Sequence, residues 1–241
     1  MKGVILAGGK GTRLRPLTLL TSKQLLPIYN KPMIYFPLYT LLKAGIKDIL
    51  IITAPEHSGD FSKLLGSGKR FNARFTYTIQ EKPKGLAQAL YMAKDFADNG
   101  PVCMILGDNI FSSNLSREIK EIKTGAKIFL KSVKDPERFG VVEIDSKKNV
   151  LSIQEKPKKP KSKYAQTGLY IYDADVFKYI RKLKPSKRGE LEITDLNNLY
   201  LKDNKLKASI VQGKWIDAGT FDSLFEAAKL VQENKYLRNL K

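Results

Sequence analysis

Residues 3–15 read Gly-Val-Ile-Leu-Ala-Gly-Gly-Lys-Gly-Thr-Arg-Leu-Arg, an apolar run that leads straight into a cluster of glycines. The run Gly3–Leu6 is short and apolar, which predicts a buried strand. Three of the four residues Gly8–Gly11 are glycines, and they predict a tight turn whose backbone N–H groups can closely approach a bound anion. We therefore expect a strand that ends at a ligand-binding loop.

The rest of the first half alternates strand and helix patterns. Predicted strands are Asp48–Thr53, Phe75–Ile79 and Val102–Leu106, and predicted helices are Leu86–Phe96 and Pro32–Lys43, which Gly45 would end. This alternation predicts an α/β fold, a Rossmann-like, mostly parallel sheet flanked by helices. Ligands bind beyond the carboxyl ends of the strands in such sheets, so the Gly8–Gly11 loop and the Gly107–Asn109 turn should meet at one cleft.

The second half has a more mixed pattern. Predicted strands are Ala126–Val133, Val141–Ile144 and Leu169–Tyr172, and predicted helices are Ile193–Leu201 and Phe221–Val231. The lysine-rich stretch Lys147–Lys163 predicts an exposed loop or hairpin. We expect a single domain over residues 1–241, in which residues 111–241 form a smaller β-rich lobe beside the part formed by residues 1–110.

The composition excludes several kinds of site. The chain has 43 Lys and Arg residues against 24 Asp and Glu residues, a net charge of +19. This excess indicates either an anionic partner, such as a nucleic acid, a membrane surface or a phosphorylated small molecule, or a lysine-rich solvated surface. One Cys and one His exclude an internal disulfide, a cysteine-rich zinc site and a multi-histidine metal site. No signal peptide and no run of about 18 apolar residues is visible, which predicts a cytoplasmic protein without a membrane span.

Two common phosphate-binding motifs do not fit the glycine loop. In the dinucleotide pattern G-x-G-x-x-G counted from Gly9, the third glycine would fall on Leu14, and no Gly-Lys-Ser/Thr follows at the spacing of a P-loop. The residues instead offer a strand, a glycine-dense turn and then cations. Arg13 can form a bidentate fork with a phosphate, and Lys23 can supply a point charge.

A longer signature surrounds the glycine loop. It begins with Leu-Ala-Gly-Gly-Lys-Gly-Thr-Arg-Leu-Arg-Pro-Leu-Thr at residues 6–18 and continues with Ser-Lys-Gln-Leu-Leu-Pro at residues 22–27. Further matching stretches are Lys31–Tyr35, Gly85–Ala89, Gly107–Asn109, Asp135–Glu143, Glu155–Pro157, Tyr164–Tyr170, Arg188–Asp195 and Trp215–Thr220. In this order, over nearly the whole chain, they resemble the sugar-1-phosphate nucleotidyltransferases.

The resemblance implies a reaction between a nucleoside triphosphate and a sugar-1-phosphate. A sugar phosphate oxygen attacks the α-phosphorus in line and pyrophosphate leaves, with no covalent enzyme intermediate. The best match within the family implies dTTP and glucose-1-phosphate as substrates. UTP or another hexose-1-phosphate stays as the alternative, because one methyl group separates thymine from uracil. The family's metal-binding aspartates fall on Asp108 and Asp217, which implies Mg²⁺ as the cofactor.

The resemblance also assigns residues to the two substrates, with the nucleotide bound mainly by residues 1–110 and the sugar phosphate by residues 111–241. The nucleotide residues are Gly8, Gly9, Gly11, Thr12, Arg13, Lys23, Gln24, Gln80 and Gly85. Arg13 and Lys23 would contact phosphates, and the amides of Gln24 and Gln80 would read the pyrimidine base. The sugar-phosphate residues are Gly140, Glu155, Lys156, Tyr170 and Arg188. Catalytic roles fall to Arg13, Lys23, Asp108 and Lys156.

Further expectations concern partners and regulation. The family resemblance implies a homo-oligomer. Longer members continue with extra C-terminal helices, whereas this chain ends at Lys241, which implies weak or altered feedback inhibition by the nucleotide-sugar product. The charge of +19 leaves open a function of another class, that of a nucleic-acid-binding or regulatory homologue without catalysis. Since the sequence has no recognition-helix motif and no aromatic RNA-binding signature, we expect no nucleic-acid partner.

Overall fold

The computed structural model describes residues 1–122 and 124–240. Lys241, which the expectation about feedback inhibition refers to, lies outside the described residues. The strands are β1 Lys2–Ala7, β2 Pro27–Ile28, β3 Lys31–Pro32, β4 Asp48–Thr53, β5 Arg74–Ile79, β6 Val102–Leu106, β7 Asn109–Phe111, β8 Ala126–Ser132, β9 Gly140–Ile144, β10 Val150–Glu155, β11 Tyr164–Tyr172, β12 Leu206–Ile210 and β13 Trp215–Asp217. The helices are α1 Tyr35–Lys43, α2 Ser58–Leu65, α3 Leu86–Tyr91, α4 Lys94–Ala97, α5 Ser116–Lys120, α6 Val176–Ile180, α7 Ile193–Lys202, α8 Phe221–Glu233 and α9 Lys235–Arg238.

One nine-stranded sheet organises the chain and confirms the predicted α/β class. Its order is β10-β9-β11-β6-β1-β4-β5, with β8 paired to β11 and β12 paired to β8. Strand β1 is parallel to β4 and β6, and β4 is parallel to β5. Strand β11 is antiparallel to β6, β8 and β9, so the parallel sheet of the first half becomes mixed in the second.

The second half of the chain extends the sheet that the first half begins. Strands β8 to β12 all belong to the sheet that contains β1. Strand β7, Asn109–Phe111, crosses the expected boundary between residues 110 and 111 and pairs with β13 in a small sheet of its own. The division into a nucleotide part and a sugar-phosphate part stays a prediction.

The central strands are buried on both faces. In β1, Val4 and Leu6 belong to one apolar cluster, whereas Ile5 and Ala7 belong to another. Successive side chains of a strand point to opposite faces of the sheet, so each cluster packs on its own side. A ligand can therefore approach β1 only at the strand's end, where Gly8 follows.

One predicted helix start is wrong, one predicted helix is interrupted, and one open alternative is resolved. The helix predicted over Pro32–Lys43 begins at Tyr35, because Lys31 and Pro32 pair with β2 as strand β3. The helix predicted over Leu86–Phe96 is interrupted after Tyr91 and resumes at Lys94, giving α3 and α4. The stretch Lys147–Lys163 contains strand β10, which pairs antiparallel with β9 and so confirms a hairpin.

Helix α8 anchors the segment that carries Asp217. Its first turn is fixed by a capping box, in which Thr220 Oγ1 accepts a hydrogen bond from Ser223 N and Ser223 Oγ accepts one from Thr220 N. Such a cap satisfies two backbone donors that a helix start leaves free. Buried Ala227 packs the helix against the third apolar cluster. The helix therefore starts at a defined point, four residues after the end of β13.

Much of the positive charge lies on the surface. The loop after β10 exposes Lys158, Lys159, Lys161 and Lys163. Within residues 1–122 and 124–240, none of these four ammonium groups forms an ion pair. In the same part of the chain, no helix combines the length and apolar character needed to cross a membrane.

Candidate active site

Two glycine-containing segments meet at the carboxyl ends of β1 and β6, as predicted. The two strands are parallel, with Leu6 opposite Leu106. The loop Gly8–Gly11 follows β1, and the turn Gly107–Asn109 follows β6. Gly107 N donates a hydrogen bond of 2.9 Å to Leu6 O. The parallel sheet therefore joins segments that are far apart in the chain.

Gly11 shapes the glycine loop. Its φ of 59° lies in the left-handed region that favours glycine. A Cβ at this position would lie 3.0 Å from Thr18 Cγ2 and 3.2 Å from Lys23 Cβ. Gly11 O also accepts a hydrogen bond of 2.8 Å from Thr18 Oγ1. The loop therefore folds back onto the segment that carries Lys23, and Gly11 itself lines neither cavity of the site.

Lys23 and Asp108 form the central ion pair of the cleft. Lys23 Nζ donates a hydrogen bond to Asp108 Oδ2, and each side chain is only 11% exposed. Burial alone would lower the pKa of Lys23 and raise the pKa of Asp108. The opposite charges outweigh burial, so the pKa of Lys23 is raised and the pKa of Asp108 is lowered. Both groups are therefore charged at neutral pH.

Strand β13 brings a second carboxylate beside the first. It pairs antiparallel with β7 and sets Asp217 opposite Asn109. Ala218 N donates a hydrogen bond of 3.0 Å to Asp108 O, which holds the two segments together. Burial, followed by the negative charge of Asp108, raises the pKa of Asp217 to about 7. Lys23 and Arg13 lower this pKa but do not offset the two effects, so the cations compensate only part of the negative charge of the pair.

A divalent cation fits this incompletely compensated pair. Carboxylate oxygens are the ligands that Mg²⁺ prefers, and it commonly takes one or two of them together with phosphate oxygens and waters. No group of three or more Asp, Glu, His or Cys side chains converges on a metal site within residues 1–122 and 124–240. A Mg²⁺ ion held by Asp108 and Asp217 would therefore complete its shell with substrate and water.

The side chain of Arg13 lies in the same corner of the cleft. A Cβ at Gly219 would lie 2.8 Å from Arg13 Nη2 and 3.3 Å from Asp217 Oδ1. Gly219 thus leaves room for the guanidinium beside the second carboxylate. Because an arginine fork can bind a phosphate through two hydrogen bonds, Arg13 is positioned to hold a phosphate next to the carboxylate pair.

Asn109 was not predicted as a site residue, yet its side chain contacts Asp108. Its Nδ2 donates a hydrogen bond of 3.1 Å to Asp108 Oδ1. Its Oδ1 accepts hydrogen bonds from Gly168 N at 2.8 Å and from Trp215 Nε1 at 2.6 Å. Asn109 therefore orients Asp108 and ties it to two distant strands. The available signal was its place directly after Asp108, in the matching stretch Gly107–Asn109.

A cavity of about 230 Å³ lies beside the glycine loop. The predicted residues in its wall are Gly8, Gly9, Lys23, Gln24, Gln80, Gly85 and Asp108. Gln24 Oε1 accepts a hydrogen bond from Ser22 Oγ, and Gln80 Nε2 donates one to Gln88 Oε1. Among the described residues, no hydrogen bond engages Gln24 Nε2 or Gln80 Oε1. The cavity therefore offers a donor from one glutamine and an acceptor from the other.

Gly85 lines this cavity at a point where its backbone conformation and its neighbours require glycine. In the structure, φ is +101° and a Cβ would overlap Leu191 O and lie 2.7 Å from Leu191 N. Leu191 N donates to Lys84 O over 2.8 Å, and Ala87 N donates to Leu191 O over 3.2 Å. Glycine is therefore required by the contact between two backbone segments.

A larger cavity of about 690 Å³ adjoins the first. Leu86, Leu106 and Glu190 line both. The predicted residues in the wall of the larger cavity are Thr12, Arg13, Gly140, Glu155, Lys156, Tyr170, Arg188 and Asp217. Thr12 and Arg13, which the resemblance assigned to the nucleotide, thus lie on the side expected for the sugar phosphate. Every predicted site residue except Gly11 lines one of the two cavities.

Arg188 is held in the larger cavity by carboxylates. Its guanidinium forms hydrogen bonds of 2.9 and 2.8 Å with the two oxygens of Glu192 and lies 3.5 Å from Glu155 and from Glu190. Burial opposes the charge of Arg188, but these carboxylates raise its pKa. Glu192, which is nearly buried, was not predicted as a site residue. The only signal was its position four residues after Arg188, in the matching stretch Arg188–Asp195.

Lys156 adopts an uncommon backbone conformation at the edge of this cavity. Its φ of 41° lies in the left-handed region, which residues other than glycine rarely occupy. A hydrogen bond of 3.0 Å from Lys156 N to Phe139 O holds it there. Lys156 Nζ lies 3.9 Å from Glu155 Oε1. Such strain is often found at functional sites, where surrounding structure enforces it.

Aromatic side chains form part of the same wall. Phe139 and Trp215 pack with their ring centroids 5.3 Å apart. Tyr170 is buried and stacks on Tyr172 at 6.2 Å. Burial raises the pKa of Tyr170, so its hydroxyl stays protonated. The larger cavity therefore combines apolar rings with the charged groups of Glu155 and Arg188, a combination typical of small-molecule sites.

Known proteins resemble this chain over its full length. A glucose-1-phosphate thymidylyltransferase from Neisseria gonorrhoeae is 54% identical over 100% of this chain and 85% of its own length. One from Mycolicibacterium smegmatis is 46% identical, also over 100% of this chain and 85% of its own. A Bacillus anthracis protein assigned to the same enzymes, solved with sucrose, is 51% identical with a TM-score of 0.91, covering 100% of this chain and 96% of that one.

A more distant comparison supports the fold alone. A UDP-glucose pyrophosphorylase complexed with UDP-glucose has a TM-score of 0.85 at 24% identity, covering 97% of this chain and 99% of that one. The profile of the nucleotidyl transferase family matches residues 2–234. Since that match spans nearly the whole chain and relatives of 46% to 54% identity cover all of it, this protein belongs to the nucleotidyl transferase family.

Proposed function

We propose that this chain transfers a thymidylyl group from dTTP to glucose-1-phosphate, giving dTDP-glucose and pyrophosphate. The observation that carries the proposal is the pair of adjoining cavities whose walls contribute neighbouring carboxylates, Asp108 to the smaller and Asp217 to the larger. Two substrates in these cavities would meet beside these two carboxylates. Relatives 46% to 54% identical to this chain carry the name of this activity.

The smaller cavity suits a pyrimidine base. Thymine presents an N3–H donor between carbonyl acceptors, and Gln80 Oε1 and Gln24 Nε2 are the complementary acceptor and donor. Uracil presents the same edge, so UTP is the second candidate nucleotide. One methyl group is worth about 1–3 kcal/mol of discrimination, and we expect dTTP to be preferred by that order of magnitude.

The larger cavity suits the sugar phosphate. Glu155 can accept hydrogen bonds from sugar hydroxyls, and Lys156 and Arg188 can bind the phosphate. In the reaction, an oxygen of that phosphate forms a bond to the α-phosphorus of dTTP while the bond from the α-phosphorus to the bridging oxygen of pyrophosphate breaks. Lys23, Arg13 and Lys156 would stabilise the charge on the transferred group, and the two cavities would align the reactants.

Mg²⁺ is the proposed cofactor, held by Asp108 and Asp217. When bound, it supplies a Lewis acid that neutralises charge on the transferring phosphate and orients it. The supporting observation is the donor set itself, the buried carboxylate of Asp108 beside the half-buried one of Asp217, whose charge Lys23 and Arg13 only partly balance. Asn109 would orient the first of these ligands through its hydrogen bond to Asp108.

A substrate matrix tests the proposal. The purified protein is incubated with Mg²⁺, each of dTTP, UTP, ATP and GTP, and each of several hexose-1-phosphates, and pyrophosphate release is measured. We expect release only when both substrates are present, with dTTP and glucose-1-phosphate giving the highest kcat/KM. Release from a purine nucleotide alone, or no release in any combination, would contradict the proposal.

A matched pair of variants tests the assignment of Asp108. Asp108→Asn should lower kcat by orders of magnitude with the fold intact, because it removes the proposed metal ligand and the partner of Lys23. Asp95→Asn removes an exposed carboxylate on α4 and should leave kcat unchanged. Circular dichroism checks the fold of both, and a fully active Asp108→Asn protein would sink the mechanism.

The homo-oligomer and the cytoplasmic location stay predictions. Small-molecule substrates follow from the proposed reaction and need no macromolecular partner. Sedimentation velocity at several protein concentrations measures the oligomeric state, and a monomer throughout would contradict the expectation.

A further inference from the structure

A chain of hydrogen bonds runs through the core to the side chain of Glu155. Thr194 Oγ1 donates to Glu155 Oε2 over 2.6 Å, and Gln166 Nε2 donates to Thr194 Oγ1 over 3.0 Å. Asn197 Nδ2 donates to Gln166 Oε1 over 2.6 Å, and the hydroxyl of Tyr172 donates to Asn197 Oδ1 over 2.7 Å. Four side chains therefore connect the core to a residue in the wall of the larger cavity.

The members of this chain are buried. Tyr172 and Asn197 are fully buried, Thr194 is 1% exposed and Gln166 is 5% exposed. Water therefore cannot replace a partner that is lost, and each polar group depends on its neighbour in the chain. Glu155, in contrast, lies in the wall of the larger cavity and is partly exposed.

The direction of donation is the same at every step. Thr194 has one hydroxyl proton, and since its oxygen accepts from Gln166, that proton is directed to Glu155. The Gln166 amide keeps its nitrogen toward Thr194 because its oxygen accepts from Asn197. Asn197 in turn is oriented by Tyr172. If either amide turned over, Thr194 would donate to Gln166 and Glu155 would lose its donor.

Gly140 makes room for this arrangement. A Cβ at Gly140 would overlap Gln166 Nε2 and lie 3.0 Å from Thr194 Oγ1. Gly140 and Glu155 are also opposite each other in the ladder between β9 and β10. The backbone therefore leaves the space beside Glu155 for the Gln166 amide, so the last two links of the chain reach the carboxylate.

We propose that Tyr172, Asn197, Gln166 and Thr194 are positioning residues that orient Glu155 for the hydroxyls of the sugar phosphate. Thr194 occupies Glu155 Oε2, which leaves Oε1, facing Lys156 and Arg188, to accept from the substrate. The proposal rests on the proposed function, in which Glu155 contacts the sugar. It assigns to a buried tyrosine an effect on the affinity for one substrate only.

Two tyrosine variants separate positioning from stability. Tyr172→Phe removes the hydroxyl that starts the chain. Tyr200→Phe removes a neighbouring hydroxyl that donates to Asp173 over 2.8 Å and that no hydrogen bond among the described residues links to Glu155. The rings of Tyr172 and Tyr200 lie 5.7 Å apart. We expect Tyr172→Phe to raise the KM for glucose-1-phosphate about tenfold, the scale of one hydrogen bond to a charged group, with the KM for dTTP unchanged. Tyr200→Phe should change neither KM.

Substitutions of Thr194 provide a second measurement should Tyr172→Phe fail to fold. Thr194→Val removes the donor to Glu155 at constant size and should raise the KM for glucose-1-phosphate at least as much as Tyr172→Phe. Thr194→Ser keeps the hydroxyl and should retain the wild-type KM. In the Thr194→Val background, Tyr172→Phe should have no further effect, because its influence passes through Thr194.

The results separate a failure of the proposed function from a failure of the proposed positioning role. If wild type forms no dTDP-glucose from dTTP and glucose-1-phosphate, the proposed function is wrong and this inference falls with it. If wild type is active and Tyr172→Phe or Thr194→Val leaves the KM for glucose-1-phosphate at the wild-type value, only the inference is overturned. Equal effects of Tyr172→Phe and Tyr200→Phe on the KM for glucose-1-phosphate would mean that the hydrogen-bond chain contributes only to stability.

Discussion

The ammonium of Lys23 is paired with the carboxylate of Asp108, 85 residues later in the chain, and both side chains are almost enclosed by protein. The pair sits where the glycine loop after β1 meets the turn after β6. Asp217 adds a second carboxylate beside the pair, and Lys23 does not fully balance its negative charge. This relationship explains why a cluster with so few acidic groups suits a cation.

Removal of the lysine should destabilise the protein. Lys23→Met leaves Asp108 buried without its partner, and breaking a buried pair costs about 3–5 kcal/mol. Urea unfolding in EDTA measures the free energy of unfolding. Addition of Mg²⁺ should restore part of the loss, because a cation that binds only the folded state stabilises it.

An exposed ion pair provides the control for that measurement. Arg74 pairs with Asp48 over 2.6 Å, but the arginine side chain is 76% exposed. Arg74→Met should change stability little, because water and salt screen exposed pairs. Equal losses in Lys23→Met and Arg74→Met would show that burial of the Lys23–Asp108 pair has no energetic consequence.

The requirement for Mg²⁺ should depend on Asp217. Residues that only orient metal ligands change metal affinity about 10–100-fold when mutated, so we expect Asp217→Asn to raise the Mg²⁺ concentration for half-maximal activity at least about tenfold. Titration of pyrophosphate release with MgCl₂ measures this concentration. Asp222→Asn, at an exposed position in the first turn of α8, should leave it unchanged. An unaltered titration curve for Asp217→Asn would remove this residue from the metal site.

Replacement of two glycines by alanine should change the stability of the protein in opposite directions. Gly85→Ala forces a Cβ into Leu191 O at a φ of +101°, and we expect a loss of more than about 1 kcal/mol. Gly59 lies in α2, and a Cβ there would meet nothing within 4 Å. Gly59→Ala should therefore stabilise the protein by about 0.5–1 kcal/mol. Thermal unfolding of both variants measures the difference, and a stable Gly85→Ala protein would contradict the backbone contact.

The exposed lysines after β10 should accelerate substrate capture. Lys158 and Lys159 follow Lys156, which lines the larger cavity, and both are exposed. A positive rim attracts anionic substrates, and salt weakens this attraction. We expect kcat/KM to fall as ionic strength rises, and Lys158→Gln with Lys159→Gln to flatten this dependence while kcat is unchanged.

Lysines at the other end of the sheet provide the control. Lys47 and Lys69 are exposed and precede β4 and β5, at the amino ends of the parallel strands. Lys47→Gln with Lys69→Gln makes the same change in net charge away from the cavities. If both double variants flatten the salt dependence equally, the net charge of the protein and not the rim is responsible.

Much of the fold could be predicted because it depends on local patterns. Short apolar runs, amphipathic stretches and glycine turns are visible within about ten residues, and they predicted strands β1, β4, β5 and β6. The start of α1 was misplaced because the pairing of Lys31 and Pro32 with β2 overrides the helical pattern. The short strands β7 and β13 carry too few residues for a period to show.

The sequence by itself determined the α/β class, the family resemblance and the chemical types at the site: a glycine loop, cations for phosphates, two carboxylates and two glutamines. Only the tertiary structure decided that Asn109 orients Asp108, that Glu192 holds Arg188, that Gly85 serves a backbone contact and that Tyr172 is linked to Glu155. Composition and spacing show which chemical groups a chain contains and in which order. Hydrogen bonds and burial depend on distances between segments far apart in sequence, and only the packed sheet sets those distances.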